Sequence, residues 1–226
     1  MAISIENLFF NLLYFFDAFI VLQVLYLFIR KKKIDSQLWL LVVYCVSDSL
    51  CNRIVKYTSY QVDYYVYGLF TLIEYCVFTL FLLKNLQKKV FKKIIIYISV
   101  GFIVFNIYYT ISSNHRGLDS IPIGIETILI FVYCFYYLYT QMSELEDVFI
   151  YSKYQFWIII GFMVYLGGSF FIYILFNIVE RKILLEYWFL TYIFYMIKNV
   201  LFAIGISLYG KQSKKASYNK VYSYLN

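Results

Sequence analysis

Apolar positions along this chain gather into seven long stretches divided by short polar breaks, at about 8 to 29, 37 to 57, 64 to 84, 93 to 111, 120 to 140, 156 to 178 and 187 to 209. A helix needs roughly 20 apolar residues to cross a hydrocarbon core about 30 Å thick. The pattern therefore predicts an all-α, polytopic bundle of seven transmembrane helices over residues 1–210, followed by a basic, Tyr- and Lys-rich cytoplasmic tail over 211–226. The joining segments leave no room for a soluble domain. No internal repeat or low-complexity linker is visible. The first stretch has no basic residue before it and no small-residue cleavage pattern after it, so it is expected to stay as a helix instead of being removed as a signal peptide.

The second stretch is the weakest. Its nine Leu, Val and Ile residues return about 4 kcal/mol on insertion, whereas the charges of Asp48 and Arg53 cost about 6 kcal/mol near a span centre. It can cross only with partners in the bundle, and six helices are the fallback. Crossing also gives the better charge pattern. Arg30 to Lys33, Lys84 to Lys93 and Lys211 to Lys220 then all lie on one side, which the positive-inside rule assigns to the cytoplasm, with the N-terminus outside. The loop Ser143 to Tyr154 goes against this pattern with Glu144, Glu146 and Asp147, but acidic residues contribute little to the rule.

Composition changes the picture by exclusion. Of 226 residues, 63% are hydrophobic and 15% charged, with a mean hydropathy of +0.71; an ordinary water-soluble domain carries about a quarter charged residues. The net charge of +7 sits at helix ends, where lysines meet anionic lipid heads, so it predicts a bilayer partner and no nucleic acid. The tail reads as a lipid-surface segment or as a docking point for a cytoplasmic signalling partner. A homo-oligomer is equally open. An integral plasma (inner) membrane location is expected.

The rare residues remove several chemistries. His115 is the only histidine, so zinc proteases, di-iron oxygenases and haem bundles lack their imidazoles. Cys45, Cys51, Cys76 and Cys134 form no C-x-x-C pair and read as apolar packing. Gly167, Gly168 and Ser169 suit close helix contact or a bend. Pro122 falls in a first helical turn, where it costs no hydrogen bond. The phosphate-loop motifs are missing, and Gly- or Pro-broken helices typical of transporters are scarce. Most tyrosines are expected to anchor the interfaces. No metal site, no catalytic residue and no particular cofactor is indicated.

The informative residues are polar groups inside the spans. Counting 1.5 Å per residue from the outer helix ends gives depths of about 14 Å for Asp17 and Asp48, 15 Å for Glu74 and 16 Å for Lys198, with Arg53, Asn52, Asn106 and Glu126 at about 6 to 9 Å. Asn199 follows Lys198. The inner halves offer little beyond Gln23, Thr79 and Ser99. Asp48 and Asn52 lie one turn apart on one helix face. Each buried charge costs about 2.5 to 3.5 kcal/mol, so Asp17, Asp48, Asn52, Arg53, Glu74, Asn106, Glu126, Lys198 and Asn199 are expected to face one another or a cavity. Four carboxylates against two cations leave room for protonation or a cationic ligand. A purely structural network is the alternative.

Four functions compete. A seven-helix sensor or receptor-like small-molecule-binding module with its pocket in the outer half leads. A proton- or cation-coupled transporter or channel component needs polar lining in both halves, which is lacking. An intramembrane lipid-acting enzyme has paired carboxylates but no spacing motif. The helix count, Lys198 in the last span and Glu74 in the third resemble microbial rhodopsins, which implies retinal on Lys198 with Glu74 as counter-ion. The resemblance covers only those features. Where the family has an Asp four residues before the lysine this chain has Phe194, and the Arg and Trp around the counter-ion are Thr71 and Tyr75. These departures rank a chromophore last.

Overall fold

The computed structural model describes residues 2–31, 34–58, 60–112, 120–144, 149–175, 179 and 186–223. Seven helices follow one another: α1 Ala2–Lys31, α2 Ser36–Tyr57, α3 Tyr60–Asn85, α4 Lys89–Ser112, α5 Ser120–Glu144, α6 Tyr154–Leu175 and α7 Phe189–Ser223, with a 3₁₀ turn at Ile150–Ser152 before α6. Each contains a stretch long and apolar enough to cross a membrane, and no strand is present among the described residues. The second stretch is a full helix of 22 residues, so the six-helix fallback is not needed. The protein is a multi-pass, seven-helix membrane bundle.

The helix ends differ from the sequence reading by a few residues, and most at the two ends of the chain. The last helix does not stop near residue 209; its backbone continues to Ser223, because nothing after Gly210 in that stretch is a Pro that would end it. The first begins at Ala2. His115, Lys32, Lys33, Glu146, Asp147, Tyr224 and the predicted end of the sixth span at 176–178 lie outside the described residues, as do the side chains of the tail from residue 213.

The core forms where the helices press closest. α6 and α7 share the largest interface, with α2 against α3 and α5 against α6 next. Glycine makes the α6/α7 approach possible. A Cβ on Gly168 would stand 2.2 Å from the Phe194 ring, and one on Gly205 would stand 2.9 Å from the Tyr154 carbonyl, so neither position tolerates a side chain without the helices moving apart. Between the helices an aromatic layer closes the middle of the bundle. Phe162 stacks on Phe78 at 3.9 Å and meets Phe81 and Phe202 edge-on at 5.5 Å. All four rings are fully buried. Outward positions are apolar too, among them Phe15, Ile29, Leu69, Ile98 and Val104, a surface suited to hydrocarbon and not to water. α4 is the helix most open to that surroundings, with 17% of its span buried.

The helix ends carrying Arg30, Lys84 and Lys211 come together, and here called the basic end they are tied by hydrogen bonds. Asp35 caps α2 by accepting from the Gln37 N–H at 3.1 Å, as N-cap aspartates do. The Tyr154 hydroxyl reaches Asp35 Oδ2 at 2.7 Å and Gln37 Oε1 at 3.1 Å. Asn85 Nδ2 donates to Gln37 Oε1 at 3.0 Å, and the Asp35 N–H donates to the Tyr209 hydroxyl at 3.0 Å. Four helices, α2, α3, α6 and α7, are thereby held together at one end.

Candidate ligand-binding site

On the other side of the aromatic layer the polar groups are charged. Helical spacing sets them in pairs: Tyr44 and Asp48 are one turn apart on α2, and Tyr195 precedes Lys198 by three residues and Asn199 by four on α7. Asp17, Asp48, Glu74, Lys198 and Asn199 are all buried. Two tyrosine hydroxyls connect them. Tyr195 Oη lies 2.6 Å from Asp17 Oδ1 and 2.8 Å from Asp48 Oδ2. Tyr44 donates to Glu74 Oε1 at 3.0 Å and accepts from Lys198 Nζ at 2.6 Å. Around these, Asn199 Nδ2 donates to Asp17 Oδ1 at 3.0 Å, the Ser49 hydroxyl to Asp17 Oδ2 at 3.1 Å, and Asn52 Nδ2 to Asp48 Oδ2 at 2.9 Å.

Lys198 is held in an aromatic cage. Its ammonium lies 3.4 Å from the Tyr195 ring centroid, 4.1 Å from Tyr44 and 4.5 Å from Tyr165, within the roughly 6 Å over which a ring's negative face attracts a cation. Among the described residues it meets no carboxylate directly. The charges acting on it are those of Asp48, Asp17 and Glu74, and each structural link to them runs through a tyrosine. A buried ammonium needs such compensation, since an unpaired one in low dielectric is strongly disfavoured.

A cavity of about 130 Å³ opens beside this cluster between α2, α3, α6 and α7. Asp48, Asn52 and Glu74 reach it, along with the rings of Tyr165, Trp188 and Tyr195. It lies toward the end of the bundle where α2 and α6 finish and α3 and α7 begin, opposite the basic end. Among the described residues, no Lys or Arg lines it. Lys198 stands behind its wall, under the Tyr165 and Tyr195 rings. Lys198 itself does not line the cavity.

Of the nine sequence candidates, six therefore come together: Asp17, Asp48, Asn52, Glu74, Lys198 and Asn199. Three do not join their hydrogen bonds. Arg53 is exposed, its guanidinium 5.7 Å from the Tyr14 ring in a crevice between α1 and α2. Asn106 on α4 is fully buried; Thr110, one turn on, is its partner at 3.5 Å, and its Nδ2 has none. Glu126 on α5 is buried with Oε1 unpartnered, and its electrostatic neighbours are Glu74 and Cys76 on α3. The sequence reading missed Tyr44, Tyr165 and Tyr195, which look like interface anchors by composition. The spacing of Tyr44 from Asp48 and of Tyr195 from Lys198 and Asn199, three or four residues in each case, was the available signal, and Tyr165 offered none. It also missed the basic-end ties, because Asp35, Gln37 and Asn85 lie at helix ends where polar residues are ordinary. The four cysteines are free thiols, and no group of three or more metal-ligating side chains occurs among the described residues.

Fold and site together define a helical, multi-pass membrane protein with a polar cavity near one end. No family model, curated protein or solved structure matches the chain.

Proposed function

We propose that this protein is a seven-helix sensor or receptor-like module that takes a small molecule into the cavity beside Asp48 and Glu74. The observation that carries the reading is the contrast between ends: a cavity with carboxylates and aromatic rings at one, a hydrogen-bonded closure at the other. Concave sites of mostly apolar lining with a few placed polar groups are the usual form of small-molecule sites. The basic end faces the cytoplasm by the positive-inside rule, so the cavity faces out. Ligand bound between α2, α3, α6 and α7 bears on the same four helices that meet at the basic end, where a cytoplasmic partner or second copy would read their movement.

Binding is tested with a panel of small solutes on the purified protein, reading Trp188 fluorescence. Saturable quenching that is lost in Asp48→Asn and Glu74→Gln variants supports the site. No saturable ligand across cationic, neutral and anionic solutes overturns it.

A transporter is the second reading, favoured by one feature: a bundle open at one end and tied at the other is a state that an alternating-access carrier must visit. The buried aromatic layer of Phe78, Phe81, Phe162 and Phe202 weighs against a standing channel. Flux of the bound solute into proteoliposomes separates carrier from receptor.

A further inference from the structure

We propose that the cavity takes a small organic ammonium ion and that its binding expels one proton from Asp48. This deepens the ligand-site reading and rests on it.

The ligand class follows from the lining. Among the described residues, two carboxylates, Asp48 and Glu74, reach the cavity and no Lys or Arg does, so the charges on its wall favour a cation over an anion. The remaining walls are largely aromatic, and ring faces attract quaternary and primary ammonium groups. The molecule uses this chemistry once already. The Tyr165 and Tyr195 rings that face the cavity also lie over the Lys198 ammonium, so one pair of rings serves an internal cation and is placed to serve an external one. A volume of about 130 Å³ compares with the roughly 150 Å³ apolar cavity that holds benzene, which limits the ligand to about six heavy atoms.

The proton follows from counting hydrogens. Tyr195 Oη makes two short oxygen–oxygen contacts, 2.6 Å to Asp17 and 2.8 Å to Asp48, but a phenol has one hydrogen to give. Each contact of that length needs its own hydrogen, so one carboxyl supplies the second. Asp17 accepts from Asn199 at one oxygen and from Ser49 at the other, leaving both oxygens engaged as acceptors. Asp48 accepts only from Asn52 besides, and it lines the cavity. The proton therefore sits on Asp48, donated to Tyr195 Oη, which donates in turn to the Asp17 carboxylate. The titratable groups around Asp48 are Tyr14 and Asp17 from α1, Tyr44, Cys45 and Cys51 from α2, Tyr67 and Glu74 from α3, Tyr165 and Tyr173 from α6, and Tyr195 and Lys198 from α7. Lys198 is the sole cation among them. When an ammonium ion enters, the Asp48 O–H bond breaks, the proton leaves to water through the cavity mouth, and the ligand's charge replaces it. The net charge of the site is unchanged.

Tetramethylammonium is the probe of choice because it has no acidic hydrogen, so any proton released comes from the protein. Full-length protein with Trp39 and Trp157 changed to Phe is titrated in weakly buffered solution, with Trp188 fluorescence reporting binding and an indicator dye reporting protons. The expected result is about one proton released per ion bound, with affinity rising about tenfold per pH unit while Asp48 remains protonated. Asp48→Asn should bind without release and without pH dependence. If that variant does not insert, the proton count on the unsubstituted site still decides. Binding with no proton release overturns the exchange. Equal binding of the uncharged isostere tert-butanol overturns the ammonium class but leaves the cavity as a ligand site. Binding of neither solute, nor of any solute in the wider panel, overturns the ligand-site reading itself.

Discussion

The two ends of this bundle bury polar groups on opposite principles. At the basic end, Asp35, Gln37, Asn85, Tyr154 and Tyr209 form direct hydrogen bonds close to helix termini, with one carboxylate that doubles as a helix cap. Beside the cavity, three carboxylates and one ammonium are kept apart by tyrosine hydroxyls. The first arrangement sets a single carboxylate among neutral partners and works as a fastener. The second sets three carboxylates against one ammonium and shares a hydroxyl between two of them, which is the feature the proposed proton exchange rests on. Polar residues in membranes are therefore not all of one kind. Neutral groups that satisfy one another fix the fold, while charges joined through a titratable intermediary leave the interior with alternatives.

The largest way to break the contrast is to remove the ammonium. Lys198→Met takes the only cation from a buried group of Asp17, Asp48 and Glu74, and stranding buried charges costs about 3 to 5 kcal/mol. The variant should unfold at clearly lower temperature in detergent, and adding Glu74→Gln should restore part of the loss. An unchanged melting temperature would mean that the carboxylates do not need Lys198.

The same substitution at both ends then sharpens the comparison. Tyr195→Phe deletes the hydroxyl between Asp17 and Asp48, and bonds to charged groups are worth about 1.5 to 3 kcal/mol. Tyr154→Phe deletes the hydroxyl on Asp35 and Gln37 at the basic end. Here a single carboxylate is bonded, and it is half-buried at a helix end, so the loss should be smaller, at the lower edge of that range, about 1.5 kcal/mol, with ligand affinity unaltered. Reversal of that order in denaturation measurements would remove the distinction between fastener and switch.

What could be read in advance follows the same division. Seven apolar stretches stand out because a bilayer demands a fixed length of hydrocarbon-compatible helix, and even the doubtful second span folds once Asp48 finds Tyr195 and Asn52 on either side. The carboxylates and Lys198 were legible because charge in a span has few explanations. Tyr44 and Tyr195 were not. In a chain with 27 tyrosines, the two that connect charges look like the rest until helices from distant parts of the sequence are brought together. Arg53 and Asn106 lie apart from the cluster, while Glu126 is buried with Glu74 as its electrostatic neighbour but outside the hydrogen-bonded group. Depth along a helix placed them at the right level, but facing is set by rotation about the helix axis, and one or two residues of offset turned Arg53 out of the cluster. The basic-end ties escaped notice since they join residues at chain separations of 48, 117, 119 and 174.

Arg53 gives the smallest expected effect and the finest test of where the site ends. Its guanidinium is exposed above Tyr14, in a crevice that also reaches Asp17 and Ser49 from the side of α1 and α2 away from the cavity. An exposed cation–aromatic contact contributes about 0.5 kcal/mol, and surface changes outside special features stay near that value. Arg53→Gln should therefore leave the melting temperature almost unchanged and tetramethylammonium affinity within about twofold of the parent. The informative deviation is a selective one. If affinity changes while stability does not, the crevice communicates with Asp48 through Asp17 and Tyr195, and the ligand's access would run laterally between α1 and α2 instead of through the open end.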